Sequence, residues 1–353
     1  MSDHAGDREV ARVVEVRHPA LGLTGLLVID SLPTHGHAFG GIRRMAYPSR
    51  AAAWEDARRL ARAMSHKCAL ARLPVGGAKM VLWDREDSLG QGAYEFLGDV
   101  VEELGGAYVC GPDVGTDEPR MTVVRGRTRW ANPVGNTPGP RTAQGVLAGM
   151  RGAATVAFGS ASLEGKHVGV HGLGSVGLAL AEGLLVAGAT VRGWDVSAAA
   201  MSKAAGMGVS PLASEDALLG GDMDVFAPCS VGGLLEERLA ARLDAAVVCG
   251  SANNVLATAE AGEALFHRGV VFVPDIVVNA GAVIEGVYTV LRREGTPIAG
   301  TVDAHVEATE SRCRDILAQA KERGVPPEVH ALASAEAELD RRERDRAASA
   351  EGA

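Results

Sequence analysis

The segment HVGVHGLGSVGLALAEGLLV, residues 167–186, constrains the fold more than any other part of the chain. An apolar run leads into Gly172-Leu173-Gly174-Ser175-Val176-Gly177, and a second apolar stretch follows. A strand, a glycine turn and a helix in this order bind the pyrophosphate of a dinucleotide. The first glycine allows the tight turn, the second lets the phosphates approach the backbone, and the third lets the helix pack against the strand. We therefore expect Gly172, Gly174, Ser175, Val176 and Gly177 to bind a cofactor.

An acidic residue follows this turn at the expected distance. The next apolar run, residues 190–194, ends at Asp195, about 20 residues after the turn, where a carboxylate accepts hydrogen bonds from the adenosine ribose. Val196 and Ser197 stand where NADP would favour arginine, and Arg192 alternates with Asp195 and should point to the other face. The sequence therefore favours NAD. The alternative for the glycine motif by itself is a purely structural turn.

Strands and helices alternate around the glycine turn. A helix from about 142 to 158 precedes strands at 167–172, 190–195, 224–228, 245–250 and 270–275, with helices between them. This alternation predicts a parallel, doubly wound Rossmann sheet. Two polar helices, at about 299–323 and 326–348, end the chain.

The length of 353 residues suits two domains with a cleft between them. The Pro- and Gly-rich stretch 131–140 predicts the boundary. We expect an α/β fold with a substrate and oligomerisation domain at 1–140, onto which C-terminal helices at 320–353 pack back, and a dinucleotide-binding domain at 141–319.

The first domain has the pattern of a mixed α/β domain. Residues 12–30 alternate as two antiparallel strands do, and buried strands are predicted at 80–83 and 107–110. Ser49 can cap a helix at 50–67 whose apolar face we expect to include Trp54, Ala57, Ala61 and Met64. A second helix is expected at 92–104.

Composition excludes several classes of protein. A net charge of -9 and scattered basic residues argue against nucleic acid. No apolar run is long enough to cross a membrane, and the N-terminus lacks an apolar signal core, so we expect a cytoplasmic protein. The five cysteines are odd in number and show no C-x-x-C spacing, which favours reduced thiols with neither disulfide nor metal site.

Two lysines and an aspartate lie at the ends of predicted elements. Lys67 ends the first long helix, Lys79 follows the turn at 74–78, and Asp113 follows a short strand. For Lys67 a solvated surface position is the better interpretation from sequence, because most lysines are exposed. Lys79 is different, since only backbone and small side chains surround a lysine between Gly76-Gly77-Ala78 and a buried strand.

Ordered blocks along most of the chain carry a family resemblance. They are HAFGGIRRMAYPS, HKCALARLPVGGAKMVL, GPDVGT, RTAQGVLAGMRGAA, GLGSVG, DVFAPC, GSANN and PDIVVNAGAVIEG. From about Gly36 to Pro327 the chain resembles the glutamate, leucine, phenylalanine and valine dehydrogenase family, most closely its leucine and phenylalanine members. The resemblance implies NAD-dependent oxidative deamination of an amino acid to a 2-oxo acid, ammonia and NADH, with the reverse amination. It also implies a homo-oligomer built through the first domain.

The resemblance assigns roles to the polar residues of the first domain. Lys67 would bind the substrate carboxylate, helped by the backbone at Gly40 and Gly41, Lys79 would activate the attacking water, and Asp113 would assist proton transfer at the amino group. Physical chemistry agrees with a lysine base, because burial and a neighbouring cation lower the pKa of a lysine. Lys67 would supply that cation.

Further residues are assigned by the same resemblance. It places Asn253 along the nicotinamide ribose and Asn279 at polar groups of substrate or cofactor. It also places Thr142, Cys229 and Ala252 in the cofactor site. The asparagines could equally be turn and cap residues, and Thr142 could be an ordinary N-cap.

Four positions would line the substrate side-chain pocket in such a protein: Phe39, Gly111, Val283 and Gly286. Phe39 stands where glutamate-specific members have a lysine, so a second substrate carboxylate would be buried without a partner. Gly111 and Gly286 replace larger apolar residues of leucine-type members and would deepen the pocket. We expect a bulky hydrophobic substrate, phenylalanine or tryptophan before leucine or valine, unless neighbouring side chains refill the space.

Two other functions are compatible with a dinucleotide turn. A 2-hydroxy-acid dehydrogenase would need a histidine base with a carboxylate partner and a substrate-binding arginine, and none of the ten histidines has such a setting in the sequence. A catalytically inactive NAD-binding regulatory protein on the same fold would bind NAD without turnover.

Overall fold

A computed structural model describes residues 9–33, 36–83, 88–132 and 138–351. They form two compact units. The described parts of Met1–Asn136, Thr289–Pro297 and Ala335–Ala353 make the first unit, and those of Thr137–Tyr288 and Ile298–Ser334 make the second.

The described residues of the first unit contain a mixed five-stranded sheet with strand order β1-β2-β4-β3-β5. Its strands are β1 (Arg12–His18), β2 (Leu23–Ile29), β3 (Ala38–Met45), β4 (Gly76–Trp83) and β5 (Tyr108–Pro112). β2 is antiparallel to β1 and β4, whereas β4, β3 and β5 run parallel. The predicted antiparallel pair at 12–30 is confirmed. The predicted strand at 80–83 begins earlier, so Lys79 lies inside β4.

Helices α1 (Arg50–Leu70), α2 (Gln91–Glu103) and α3 (Glu118–Arg125) accompany this sheet. Helix α1 begins where the sequence predicts, with the Ser49 hydroxyl accepting a hydrogen bond from the Ala52 amide. The helix packs so closely on β4 that a Cβ on Gly77 would lie 2.1 Å from the Ser65 nitrogen. Only small side chains fit there, and the predicted face is wrong at Trp54, which remains 37% exposed. The buried face carries Ala53, Ala57 and Ala61.

The described residues of the second unit contain a six-stranded sheet with order β11-β10-β9-β6-β7-β8. The strands are β6 (His167–His171), β7 (Thr190–Trp194), β8 (Ser210–Pro211), β9 (Met223–Pro228), β10 (Ala245–Val248) and β11 (Val271–Phe272). All neighbouring strands are parallel. This is the predicted doubly wound Rossmann sheet, whose ligands bind at the carboxyl ends of the strands.

The helices that follow are, in chain order, α4 (Pro138–Phe158), α5 (Ser175–Val186), α6 (Ala198–Gly206), α7 (Glu215–Leu219), α8 (Glu237–Ala240), α9 (Ala259–His267), α10 (Asp275–Val278), α11 (Gly281–Arg293), α12 (Val302–Glu307), α13 (Thr309–Arg323) and α14 (Pro327–Glu351). Helix α4 begins four residues before the predicted start. The single helix predicted at 299–323 is two helices, which meet at Ala308.

The C-terminal part of α14 completes the first unit. Leu339 packs with Ala69 of α1, and the Arg342 guanidinium donates to the carbonyl oxygens of Leu73 at 2.8 Å and Val75 at 3.3 Å. These bonds fix the backbone between α1 and β4. Among the helices that the structure describes, none combines the length and apolar character needed to cross a membrane.

Candidate active site

Strand register gathers predicted residues on one face of the first unit's sheet. Phe39 of β3 is paired with Gly77 of β4, and Gly41 is paired with Gly111 of β5. Side chains two residues apart along a strand point to the same face. The face on which α1 packs therefore carries Phe39, Gly41, Lys79, Gly111 and, just past the end of β5, Asp113.

Lys79 and Asp113 form an ion pair at the centre of this face. The ammonium of Lys79 contacts Oδ2 of Asp113, and the two side chains are only 8% and 18% exposed. A Cβ on Gly41 would lie 2.8 Å from Asp113 Cβ and 3.4 Å from Lys79 Nζ. Glycine at this position therefore keeps open the space directly beside the pair.

A charged chain that the sequence did not reveal extends from this pair. Arg43 donates from Nε to Asp113 Oδ2 at 3.1 Å and from Nη1 to Asp56 Oδ2 at 3.3 Å. The hydroxyl of Tyr47 donates to the same Asp56 oxygen at 2.7 Å. Arg43 lies on the same face as Lys79 because it is two residues after Gly41. This two-residue spacing along β3 is the one sequence signal that could have identified Arg43.

The environment of Lys79 lowers the pKa of its ammonium. Burial is the main cause, because it penalises the charged form. The Asp113 carboxylate opposes burial by raising the pKa of Lys79, and the positive charges of Arg43 and Lys67 reinforce the lowering. A lysine in this setting releases its proton at lower pH than an exposed lysine does.

Asp113 remains ionised in the same environment. Burial by itself would raise the pKa of its carboxyl, but the charges and hydrogen bonds of Lys79 and Arg43 outweigh burial and lower that pKa. The face therefore holds a carboxylate acceptor next to an amine that can lose its proton.

The other predicted residues of the first unit surround this pair. Lys67 lies in the last turn of α1 and is half-buried. Gly40 is buried on the other face, with its carbonyl oxygen accepting from the Tyr108 hydroxyl at 3.0 Å. Phe39 is buried, and a Cβ on Gly111 would meet only Asn132 Cβ at 3.8 Å. The position of Gly111 thus opens onto space that a larger substrate group could fill.

In the second unit, each glycine of the turn has a distinct geometry. Gly172 has φ +93°, and a Cβ there would lie 2.8 Å from the Ser230 nitrogen. A Cβ on Gly177 would lie 1.9 Å from the Gly172 oxygen, whereas a Cβ on Gly174 would meet nothing within 4 Å. Gly172 and Gly177 are thus required by packing, and Gly174 borders open space at the start of α5.

The carboxylate of Asp195 is attached to this turn. It accepts from the Leu173 amide at 2.7 Å and from the Ser197 amide at 2.8 Å. Arg192 turns away, since its guanidinium contacts Asp222. Asp195 therefore lies at the glycine turn, whereas the guanidinium of Arg192 does not.

The remaining cofactor residues lie after β9 and β10, inside α4 and at the end of α10. Asn279, the C-cap of α10, donates from Nδ2 to Asn253 Oδ1 at 2.9 Å and to the Ser251 oxygen at 3.2 Å. Its own Oδ1 is buried without a hydrogen-bond partner. Asn253 thus lies in a turn and Asn279 at a helix cap, as the alternative interpretation expects. The amide oxygen of Asn279 nevertheless remains without a hydrogen-bond partner. Sequence reasoning missed Ser251.

Three further predicted residues are fixed by the backbone of this unit. The Cys229 amide donates to the His171 oxygen at 2.7 Å, and the Ala252 amide donates to the Pro228 oxygen at 3.0 Å. Thr142 lies inside α4 and not at its N-cap position, because that helix begins at Pro138.

Two of the four predicted pocket positions lie in the second unit. Val283 and Gly286 belong to α11, in the part assigned to the second unit, so they are not in the same unit as Phe39 and Gly111.

These features fit a dinucleotide. The N-terminus of α5 has no side-chain cap and no acidic residue in its first turn, so its amides can receive a phosphate. Gly174 leaves the approach to those amides open, and Asp195 offers carboxylate oxygens beside the turn. The unsatisfied oxygen of Asn279 can accept from an amide or hydroxyl donor of a ligand.

Comparison with known proteins assigns the family. Residues 25–130 match the Glu/Leu/Phe/Val dehydrogenase, dimerisation domain, and residues 139–339 match the Glutamate/Leucine/Phenylalanine/Valine dehydrogenase domain. The chain belongs to the Glu/Leu/Phe/Val dehydrogenase family. The resemblance in the sequence is thereby confirmed.

Similar members of the Glu/Leu/Phe/Val dehydrogenase family cover most of the chain. Valine dehydrogenase from Streptomyces virginiae is 36% identical over 340 residues, which is 92% of each chain. Leucine dehydrogenase from Thermoactinomyces intermedius is 35% identical over 289 residues, 80% of this chain and 79% of that one. The structure of L-tryptophan dehydrogenase from Nostoc punctiforme matches with a TM-score of 0.82 and 27% identity, covering 95% of this chain and 97% of the other. These relatives are amino-acid dehydrogenases.

Proposed function

We propose that this dehydrogenase oxidatively deaminates a bulky hydrophobic L-2-amino acid with NAD, yielding a 2-oxo acid, ammonia and NADH, and catalyses the reverse amination. The observation that carries the proposal is the buried Lys79, with a lowered pKa, beside Asp113 on the glycine-lined face. A perturbed lysine next to open space is the arrangement expected of a base.

Lys67 binds the substrate carboxylate in this proposal. It carries positive charge in the last turn of α1, and that charge acts on Lys79. An ammonium attracts a carboxylate as a point charge. The backbone at Gly40 and Gly41 completes the carboxylate site, since Gly41 has no side chain to block a close approach on the face of Lys79.

Lys79 and Asp113 then move protons. Bound NAD would supply the hydride acceptor for the substrate α-carbon, and loss of that hydride would leave an iminium group. Neutral Lys79 removes a proton from the water that attacks the iminium carbon, and Asp113 receives or returns the proton at the departing amine. Both groups are already oriented by their ion pair and by Arg43, so little reorganisation precedes the step.

The second unit binds NAD in this proposal. The amides at the start of α5 receive the pyrophosphate, and Asp195 accepts from the adenosine ribose hydroxyls. Thr142, Cys229, Ala252, Asn253 and Asn279 serve the nicotinamide half. The contact of Arg192 with Asp222 supports NAD over NADP, because it takes the nearby guanidinium away from a ribose phosphate.

An aromatic side chain is the preferred substrate group. Gly111 opens onto free space, and Phe39 offers a buried ring on the same face. Neither provides a cation for a second carboxylate, which disfavours glutamate. Val283 and Gly286 contribute the remaining pocket positions. The likeness to L-tryptophan dehydrogenase supports an aromatic substrate, whereas the leucine and valine dehydrogenases support an aliphatic one.

The test is NADH formation at alkaline pH with a panel of L-amino acids, followed by steady-state kcat/KM for each. We expect turnover with phenylalanine or tryptophan above leucine and valine. Binding of NADH without turnover of any amino acid would favour the inactive regulatory protein. A clear preference for valine would refute the aromatic pocket.

A variant at Gly111 tests the pocket separately. Gly111→Ala adds a methyl group toward open space, so the protein should fold normally while kcat/KM falls more for tryptophan than for valine. Gly206→Ala is a matched control, because a Cβ there meets nothing within 4 Å, so it adds a methyl group without a close contact, and Gly206 lies in α6 of the other unit. Equal losses for both substrates would remove Gly111 from the pocket.

We also propose that the two domains have the separate functions predicted from the sequence. Residues 1–140 with 320–353 bind substrate and mediate homo-oligomerisation, and residues 141–319 bind the dinucleotide. The match of residues 25–130 to a dimerisation domain supports a homo-oligomer. Light scattering of the purified chain tests this, and a monomer at micromolar concentration would refute it.

A further inference from the structure

A buried histidine with two polar partners lies directly beneath the glycine turn. His171 is the last residue of β6 and is 3% exposed. Its Nδ1 is 2.6 Å from the Ser230 hydroxyl, and its Nε2 is 2.7 Å from Oε1 of Glu215. The rings of Trp194 and Phe226 pack around it, with centroids at 5.3 Å and 6.3 Å. None of these contacts has a role in the function proposed above.

Glu215 determines how the imidazole is protonated. A neutral imidazole has one donor nitrogen and one acceptor nitrogen, and a carboxylate can only accept. In the neutral ring the proton therefore lies on Nε2 of His171, facing Glu215, and Nδ1 is the acceptor. The hydroxyl hydrogen of Ser230 is then directed inward to Nδ1.

This arrangement determines what Ser230 offers to a ligand. With its hydrogen held by His171, the Ser230 oxygen presents lone pairs outward. Ser230 is exposed and lies against the turn, since a Cβ on Gly172 would be 2.7 Å from Ser230 Cβ. A ligand hydroxyl can donate to such an oxygen, whereas a phosphate, which only accepts, meets another acceptor.

We propose that Glu215, His171 and Ser230 form a relay that makes Ser230 an acceptor for a ribose hydroxyl of the dinucleotide and disfavours a phosphate in its place. Asp195 and Ser230 follow β7 and β9, the two strands that flank β6, so they lie on opposite sides of the turn. Both present acceptors there. The inference rests on the proposed function, because it assumes that the turn binds a nicotinamide dinucleotide.

Three variants separate the relay from its alternatives. Ser230→Ala removes the acceptor. Glu215→Lys replaces an acceptor with a donor, which forces the proton onto Nδ1 of His171 and turns the Ser230 hydrogen outward. The double variant asks whether the effect of Glu215→Lys passes through Ser230. Asp216→Lys is the matched control, because the exposed Asp216 is the next residue of α7 and undergoes the same change of charge.

The readout is the Kd for NADH and for NADPH, measured by fluorescence titration, with thermal melting as the check on folding. We expect Ser230→Ala to weaken NADH binding by about three- to tenfold, the value of one hydrogen bond. Glu215→Lys should weaken NADH binding and raise the preference for NADPH by a similar factor. That gain should vanish in the double variant, and Asp216→Lys should not show it.

Other outcomes contradict the relay. Unchanged or tighter NADH binding by Ser230→Ala would mean that Ser230 faces no hydroxyl donor. A gain in NADPH preference that persists in the double variant, or that Asp216→Lys reproduces, would assign the effect to the added charge. If the unaltered chain binds neither dinucleotide, the proposed function itself fails. NADH binding that the variants leave unchanged refutes the relay alone.

Discussion

Replacing Arg43 with glutamine should raise the pH at which the dehydrogenase becomes active. Lys79 must lose its proton to act as a base, so kcat/KM for deamination rises with pH through the pKa of Lys79. Burial lowers that pKa, and the charge of Arg43 lowers it further. Arg43→Gln removes this charge. The Asp113 carboxylate, which raises the pKa of Lys79, then has less positive charge acting against it. The pKa of Lys79 should therefore rise.

The geometry sets the size of this effect. Arg43 Nε lies 3.1 Å from Asp113 Oδ2, the same oxygen that Lys79 contacts. The two cations are therefore at most about 6 Å apart, given ordinary hydrogen-bond lengths. At an effective dielectric constant of about 20 their repulsion is about 3 kcal/mol. The Arg43 side chain is 18% exposed, so solvent screening reduces this repulsion to about half, and its loss moves the midpoint of the activity profile to higher pH.

The assay is the pH profile of kcat/KM for the best amino acid of the panel, with NAD saturating. Arg127→Gln is the control, because it also removes one arginine from the first unit, but Arg127 pairs with Asp99 on the surface. The control should keep the midpoint of the unaltered enzyme. A midpoint of Arg43→Gln that stays in place or falls would refute the argument that Arg43 lowers the pKa of Lys79.

Four further changes test the site, the turn and the packing of the first sheet. Lys79→Ala should keep NADH binding but lose turnover by about a thousandfold or more, and near-normal turnover would remove Lys79 from the mechanism. Gly174→Ala should leave thermal stability unchanged and weaken NADH binding at least about tenfold, because its Cβ enters open space that a phosphate would use. Gly177→Ala should instead lower the melting temperature, since its Cβ would lie 1.9 Å from the Gly172 oxygen. Gly40→Ala should also destabilise the fold, by about 1–3 kcal/mol in denaturant titration, because its Cβ would lie 1.8 Å from a carbonyl oxygen of β4. Unchanged stability of Gly177→Ala or Gly40→Ala would show that the backbone shifts easily to make room for the added Cβ.

The doubly wound sheet was predictable because its signals are local. The glycine turn, the strand before it and the helix after it lie within twenty residues, and each element is specified by its own residues. The break at Ala308 was not predictable, since this residue keeps helical backbone angles and no glycine or proline marks it. The buried face of α1 was also misjudged at Trp54. In an alanine-rich helix the buried side depends on the partner, here the glycines of β4, and not on helical spacing alone.

In the candidate site, too, residues marked by local sequence were predictable, whereas contacts between distant residues were not. Lys79 could be singled out because glycines and an apolar strand flank it, and the roles of Lys67 and Asp113 followed from family resemblance. The chain of Arg43, Asp56 and Tyr47 could not, because it joins β3 to α1 through a register that local sequence does not specify. Contacts between residues distant in sequence likewise create the environment of His171.

The return of α14 to the first unit determines the order in which the chain can fold on the ribosome. The part of α14 that anchors the backbone between α1 and β4 through Arg342 is synthesised about two hundred residues after the main segment of that unit, Met1–Asn136. At about 5–20 residues per second, the delay amounts to about 10–40 seconds. During that interval the nascent first unit lacks its last helix while the ribosome synthesises the second unit.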